Sequence, residues 1–123
     1  MNAKTVLVVD DAASIRATVS IALQGDGYEV IEASDGNDAL RKLQARRVHL
    51  IISDVNMPGM DGITLLRKLR EQAATKFVPV IMLTTEGSDD KKAQGREAGA
   101  RAWIVKPFNP VKMLDAVNKL IQR

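Results

Sequence analysis

The segment HLIISDVNMPG, residues 49–59, places a short apolar run directly before an aspartate, Asp54, and a turn containing Pro58 and Gly59. β-Branched residues favour strands, whereas Asn, Pro and Gly favour turns. Similar runs occur elsewhere, so the predicted strands cover residues 5–9, 29–33, 49–53, 78–83 and 101–105. The chain therefore contains five short, largely apolar strands, and the third of them ends at Asp54.

Longer stretches separate these runs, and their apolar residues recur every three or four positions, which is typical of amphipathic helices. The apolar stripes are Ile15, Val19, Ala22 and Leu23, then Ala39, Leu40 and Leu43, then Leu65, Leu66 and Leu69, and finally Leu114, Val117, Leu120 and Ile121. Asn109 is suited to cap the last helix and Pro110 to begin it. Strict alternation of strand and helix predicts an α/β fold, a doubly wound parallel sheet with helices on both faces.

The fourth helix, at about residues 88–98, differs from the others. Its interior carries two alanines and Gly95 but no large apolar side chain, so we expect it to bury little surface. Such a helix is either a movable element or a surface helix without a role.

The 123 residues fit one domain, and we expect a single domain over residues 1–123 with no effector domain attached. The chain lacks cysteine and any apolar run long enough to span a bilayer, which favours a cytoplasmic protein. The net charge is only +3 and aromatic residues make up 3%, so nucleic-acid binding is not expected. We interpret the basic stretches at residues 41–47 and 67–70 as solvated helix faces.

Polar side chains follow the ends of four predicted strands. Asp10 and Asp11 follow the first strand, Asp54 the third, Thr84 the fourth and Lys106 the fifth. Because the carboxyl ends of parallel strands meet at one edge of the sheet, we expect these five side chains to converge. Three adjacent carboxylates repel one another unless a cation is present, and oxygen ligands favour Mg²⁺, with Mn²⁺ as an alternative.

Taken singly, these residues have simpler explanations. Asp11 can cap the next helix, Asp54 can belong to the turn, Thr84 suits a strand, and Lys106 can extend to solvent from a strand end. Their conjunction instead favours phosphoryl transfer, which requires neutralised charge and in-line positioning. Asp54 would be the nucleophile, while Lys106, the Thr84 hydroxyl and the metal would each contact a phosphoryl oxygen.

The chain resembles the receiver domains of two-component response regulators, and most of all the free-standing chemotaxis regulators. The resemblance covers nearly the whole sequence, and its motifs are VLVVDD at residues 6–11, SDVNMPGMDG at 53–62, MLTTE at 82–86, GA at 99–100 and VKPF at 105–108. It implies the flavodoxin-like strand order 2-1-3-4-5. It further implies a phospho-acceptor that catalyses its own phosphorylation and dephosphorylation but turns over no other substrate.

The resemblance also implies a role for each matching residue. Asp54 matches the phospho-acceptor, and Asp10 and Asp11 match the acidic pair that holds Mg²⁺. Asn56 matches the residue whose main-chain carbonyl completes the metal shell. Thr84 and Lys106 match the switch hydroxyl and the lysine that pairs with the phosphoryl group, and the family implies a cis peptide bond between Lys106 and Pro107.

Three further positions bear on the behaviour of such a domain. Asn56 and Glu86 match the residues that tune attack by water, and their identities imply a short-lived phosphoryl group; as alternatives, Asn56 is only a turn residue and Glu86 only faces solvent. Trp103 stands where the family usually has tyrosine or phenylalanine as a rotamer switch, and a surface anchor for a partner is its alternative role. His49 has no companion at ligand spacing, so we expect it to be structural.

The resemblance implies a phosphohistidine donor on a histidine kinase or phosphotransfer domain. It also implies a monomer whose output face, formed by the fourth helix, fifth strand and fifth helix, binds a protein target according to phosphorylation. A flavin carrier is disfavoured because two aspartates would repel a flavin phosphate. A phosphohydrolase is disfavoured because Asn56 stands where a second carboxylate is expected. A constitutive interaction module and a phosphorelay intermediate outside chemotaxis remain open.

Overall fold

The protein is described from a computed structural model, in which residues 3–121 are placed. Its five strands are β1 (Thr5–Val9), β2 (Glu29–Ala33), β3 (Leu50–Ser53), β4 (Val80–Thr84) and β5 (Ala102–Val105). Its five helices are α1 (Ala13–Gly25), α2 (Gly36–Ala45), α3 (Gly62–Arg70), α4 (Asp89–Ala98) and α5 (Pro110–Ile121). All paired strands are parallel, and the sheet order is β2-β1-β3-β4-β5. The predicted α/β fold and strand order are therefore confirmed.

The two faces of the sheet carry separate apolar cores, because alternate strand residues point to opposite sides. Leu7, Ile51 and Met82 face the side covered mainly by α2 and α3. Val8, Ile52 and Ile81 face the side covered by α1 and α5. The central strands β1, β3 and β4 are buried along their whole length, so the sheet is a firm base for side chains at its edge.

Strand boundaries differ from the prediction by one or two residues. β4 begins at Val80 because Pro79 has no N–H to donate to a ladder. It ends at Thr84, which is paired with Val105 instead of lying beyond the strand. His49 precedes β3, and its Nδ1 accepts a hydrogen bond from the Thr5 N–H at 3.0 Å, which confirms a structural role for this histidine.

The helix termini follow side-chain capping where the sequence provides it. The Asn109 side chain accepts from the N–H of Val111 at 2.9 Å, and α5 begins at Pro110, which confirms that predicted start. The cap of α1 is Ala12, with no side-chain hydrogen bond, so Asp11 does not cap this helix and stays free for another role.

In α4, Gly95 alone is fully buried, which confirms the expectation that this helix buries little. A Cβ at Gly95 would lie 2.6 Å from Cζ3 of Trp103, so the glycine provides the space in which the indole packs. Within residues 3–121 no helix combines the length and the apolar composition needed to cross a membrane.

Candidate functional site

The acidic site lies at the carboxyl ends of the central strands. Asp10 directly follows β1 and Asp54 directly follows β3, and each offers a carboxylate oxygen within 4.8 Å of the other and of Asp11. Asp10 and Asp54 are 3% and 8% exposed, whereas Asp11 is open to solvent. The predicted convergence of three carboxylates is therefore confirmed.

Lys106 joins this cluster from the end of β5. Its Nζ donates to Oδ2 of Asp10 at 2.8 Å and to Oδ2 of Asp54 at 3.1 Å, and the Lys106-Pro107 bond is cis, as predicted. Burial alone would lower the pKa of Lys106, but hydrogen bonds and Coulomb attraction from Asp10 and Asp54 raise it above its ordinary value of 10.5. These ion pairs therefore stabilise the fold at neutral pH, and the contribution of Lys106 is lost as the pH rises through its raised pKa.

Backbone groups fix the remaining oxygens of the two buried carboxylates. Oδ1 of Asp10 accepts from the N–H of Ala12 at 2.9 Å, and Oδ1 of Asp54 accepts from the N–H of Asn56 at 3.2 Å. Asn56 itself is exposed at the turn beside Asp54. Each buried carboxylate is thus held by one main-chain donor and by Lys106, so both are positioned before any ligand arrives.

The charge balance of the cluster is suited to a hard dication. Three carboxylates face a single ammonium, which leaves two negative charges uncompensated among the described side chains of the cluster. The candidate metal ligands are all carboxylate oxygens, the ligand type that Mg²⁺ prefers. Asp11 is exposed, so a metal ion can reach the cluster from solvent. These residues therefore fit a magnesium site.

Thr84 reaches the same sheet edge, but its hydroxyl is engaged elsewhere. It is completely buried, and its Oγ1 accepts from the N–H of Glu86 at 3.1 Å. The Glu86 carboxylate turns back to accept from the N–H of Ser88 at 3.1 Å, and hydrogen bonds from Ser88 lower the pKa of Glu86 below its ordinary value. The loop after β4 is therefore held by hydrogen bonds that begin at the Thr84 hydroxyl.

Trp103 is linked to this loop from β5. Its Nε1 donates to the main-chain oxygen of Glu86 at 2.8 Å, and its half-buried ring packs on Gly95 and on the α2 and α3 side of the core. The indole accordingly lies against α4 in this conformation. A chain of contacts therefore connects Thr84 through Glu86 to Trp103 on the predicted output face.

The residue pattern did not reveal Gly62, the first residue of α3. An ideal Cβ at this position would lie 2.0 Å from the main-chain oxygen of Asp54, so only glycine allows α3 to approach the acidic turn. The sequence did contain one indication of this helix start, because Gly62 directly follows Asp61, a residue type that often caps helices. In the structure the Asp61 side chain caps α3 by accepting from the Thr64 N–H at 2.7 Å.

We expect Gly62→Ala to lower the free energy of unfolding by about 2–3 kcal/mol, because the added methyl must displace the backbone of Asp54. Urea unfolding measures this cost. Gly25→Ala is the matched control, since a Cβ at Gly25 meets nothing within 4 Å. Equal stability of the two variants would show that the close approach does not constrain the site.

Arg16 was also missed, although it is the sole charged residue within α1. Its Nη1 donates to the main-chain oxygen of Asp10 at 2.5 Å, while its Nε lies 3.3 Å from a carboxylate oxygen of Glu32. Arg16 therefore ties the residue that follows β1 to the side chain of a residue in β2.

Arg16→Ala should lower the free energy of unfolding by about 1–2 kcal/mol, because the Asp10 carbonyl loses a charged donor in a largely buried position. Denaturant titration measures the effect. Arg67→Ala, an exposed arginine of α3, should change stability by less than about 0.5 kcal/mol. An Arg16 variant as stable as the Arg67 variant would contradict the positioning role.

The comparisons with known proteins agree with this geometry. The family model of the response regulator receiver domain matches residues 6–118. The phosphate regulon transcriptional regulatory protein PhoB of Pseudomonas aeruginosa is 40% identical over 123 residues, which are all of this chain and 54% of that protein. The transcriptional regulatory protein ResD of Bacillus subtilis is 41% identical over 122 residues, 99% of this chain and 50% of that protein. The chain spans about half the length of these curated relatives.

Solved structures show the same similarity in three dimensions. The chemotaxis protein CheY4 of Vibrio cholerae is 49% identical with a TM-score of 0.92, and the match covers 97% of this chain and 99% of that one. The receiver domain of the sensor histidine kinase PA1611 of Pseudomonas aeruginosa is 25% identical with a TM-score of 0.90, covers 99% and 100% of the two chains, and holds a magnesium ion in its active site cleft. The family model covers all five strands except Thr5, the first residue of β1, and the solved structures share the whole fold. The chain therefore belongs to the family of response regulator receiver domains.

Proposed function

We propose that this receiver domain accepts a phosphoryl group on Asp54 and changes its binding to a protein target accordingly. The observation that carries the proposal is the placement of the Lys106 ammonium between Asp10 and Asp54, beside exposed Asp11. This arrangement supplies a nucleophile, a cationic partner for phosphoryl oxygens and an acidic metal site at one sheet edge.

The carboxylates of Asp10, Asp11 and Asp54 would hold the metal, together with the main-chain carbonyl of Asn56. When bound, Mg²⁺ or Mn²⁺ would neutralise charge on the phosphoryl oxygens. An oxygen of Asp54 forms the new bond to phosphorus as the phosphorus–nitrogen bond of the donor phosphohistidine breaks, and the imidazole leaves with the electron pair. Lys106 then pairs with one phosphoryl oxygen, and the Thr84 hydroxyl donates to another.

The contacts of Thr84 support a path from the site to the output face. If the Thr84 hydroxyl turns towards the phosphoryl group, its hydrogen bond with the Glu86 N–H breaks. The main-chain oxygen of the same Glu86 accepts the hydrogen bond from Trp103, so the two contacts are linked. Movement of this loop would thus reach α4, which buries little, and β5. Phosphorylation can shift the protein between these two conformations of the loop only if the phosphoryl group interacts more favourably with one of them.

Incubation with a small acyl phosphate tests the proposal through intact mass and Trp103 fluorescence. We expect one phosphoryl group to be gained with Mg²⁺ and none with a chelator, and the fluorescence to change together with the mass. Mass gain without any fluorescence change would overturn the path through Trp103. The absence of mass gain with Mg²⁺ would favour a constitutive interaction module.

The proposal extends to chemotaxis signalling by a monomer in the cytoplasm, with a histidine kinase or phosphotransfer domain as donor. Similarity to CheY4 of Vibrio cholerae and the Asn56 and Glu86 pair support a chemotaxis role with a short-lived phosphoryl group. The similarity to PhoB and ResD favours instead a receiver in transcriptional regulation. Decay of the phosphorylated mass after donor removal distinguishes a rapidly reset signal from a stable one.

A further inference from the structure

An aromatic side chain is exposed to solvent at the end of the sheet opposite to Asp54. Phe77, in the loop between α3 and β4, is 85% exposed, and the Lys76 Nζ lies 5.6 Å from the centre of its ring. This loop leads to the amino end of β4, whereas the acidic cluster lies beyond the carboxyl ends of β1 and β3. The exposed ring is therefore separate from the phosphorylation site.

The loop that carries Phe77 is firmly built. Arg70 donates to the main-chain oxygens of Thr75 and Lys76 at 3.2 Å, of Val78 at 2.7 Å and of Gly99 at 3.0 Å. The buried Thr75 hydroxyl donates to the Leu69 main-chain oxygen at 2.7 Å. Since these bonds fix the backbone on both sides of Phe77, the Cα of Phe77 is held at a defined position on the surface.

Two cavities lie beside this loop, between it and the end of α2. Their volumes are about 260 and 270 Å³, and both are lined by Arg47, Ala74 and Val78. Phe77 lines the second of them. We name the surface formed by Arg47, Ala74, Lys76, Phe77 and Val78 the Phe77 surface. It combines an aromatic ring with adjacent recesses that can receive side chains.

The two chain segments that supply the Phe77 surface are rich in basic residues. Residues 41–49 and 67–79 contain eight Lys and Arg but one acidic residue, Glu71, although the whole chain has a net charge of only +3. Arg41, Lys42 and Arg46 are paired with carboxylates, whereas Arg47 and Lys76 have no ion-pair partner within residues 3–121. A positive charge in the last turn of a helix is stabilised by the helix dipole, but Lys76 lies six residues beyond the end of α3, so the dipole does not explain a lysine at this position.

We propose that the Phe77 surface binds an acidic protein segment that presents an apolar side chain next to its carboxylates. The carboxylates would pair with Arg47 and Lys76, and the apolar side chain would cover Phe77 and fill the adjacent recess. Nucleic acid fits less well, because Phe77 is the one exposed aromatic residue in the described part of the chain. Binding at this end of the sheet does not require phosphorylation of Asp54.

Fluorescence anisotropy with a short labelled peptide of glutamate and leucine tests the proposal, with no phosphoryl donor present. We expect binding that Arg47→Glu and Phe77→Ser each weaken by about tenfold or more. Lys112→Glu and Val111→Ser are the matched controls, because both residues are exposed on α5, and they should leave binding unchanged. Urea titration should show a cooperative unfolding transition in all four variants, which demonstrates that each one folds.

Several results would overturn the proposal. The first is lack of binding by the glutamate and leucine peptide. The second is equal binding by a lysine and leucine peptide. The third is tighter binding of oligothymidylate or of phosphatidylserine vesicles with no dependence on Phe77, which would make the surface a general anion site. Peptide binding that the α5 variants weaken instead would move the interaction to the output face.

Discussion

Asp54→Asn is expected to reduce phosphoryl incorporation by on the order of a thousandfold or more, to the background of the mass measurement. An amide oxygen is a far weaker nucleophile than a carboxylate, and Asp54 is held in position by Lys106 and the Asn56 N–H. The loss should persist at saturating Mg²⁺ and with any phosphoryl donor, because the substitution replaces the nucleophilic carboxylate by an amide.

The same variant should fold as well as the parent. Three carboxylates surround one ammonium, so removal of one negative charge relieves repulsion, and Lys106 keeps its 2.8 Å bond to Asp10. Thermal unfolding should therefore show a midpoint equal to or above that of the parent. A large drop in the midpoint would mean that lost labelling reflects a lost fold.

Asp61→Asn provides the matched control for this substitution. Asp61 caps α3, and asparagine caps a helix about as well as aspartate, so this variant should retain full labelling. Labelling of the Asp54 variant at the parental rate would place the phosphoryl group on another residue. Peptide mapping of the labelled protein would then identify that residue.

The site was largely predictable because chain connectivity alone brings its residues together. In a parallel α/β sheet every strand ends at the same edge, so the positions of Asp10, Asp54 and Lys106 directly after their strands determine that they meet. Thr84 reached the predicted edge for the same reason. No knowledge of helix packing was needed for these residues.

The contacts that were missed depend on distances between separate structural elements. Gly62 matters because α3 approaches the Asp54 carbonyl, and Gly95, which was noted only as a weak point of its helix, matters because the Trp103 ring lies against α4. Periodicity identifies the face of a helix but does not give its distance from a loop or from an aromatic ring. Arg16 is a similar case, since it lies on α1 and its partners are Asp10, directly after β1, and Glu32 in β2.

One interpretation of the charge pattern was wrong in part. Residues 67–70 were expected to form a solvated helix face, but Arg70 turns back and donates to four main-chain oxygens, three of them in the loop after α3. A guanidinium has five donors, which allows one side chain to hold a whole loop. The spacing of apolar residues could not reveal this difference between Arg70 and Arg67, because each arginine directly follows a leucine of the apolar stripe.

Lys106→Met is expected to have opposite effects on metal binding and on phosphorylation. The substitution removes the cation that contacts Asp10 and Asp54, so the potential at the three carboxylates becomes more negative. Mg²⁺ should bind about tenfold more tightly, because the ammonium no longer opposes a second cation nearby. Without metal, the free energy of unfolding should fall by about 1–3 kcal/mol, and Mg²⁺ should restore much of it.

Phosphoryl incorporation in the Lys106→Met protein should nevertheless slow by about a hundredfold, because one preorganised cation for the phosphoryl oxygens is lost. Calorimetric titration with Mg²⁺ and the rate of mass gain measure the two effects separately. Lys112→Met, an exposed lysine of α5, should change neither quantity. Weaker Mg²⁺ binding in the Lys106 variant would show that the lysine organises the carboxylates more than it competes with the metal, and an unchanged labelling rate would remove Lys106 from the phosphoryl-transfer step.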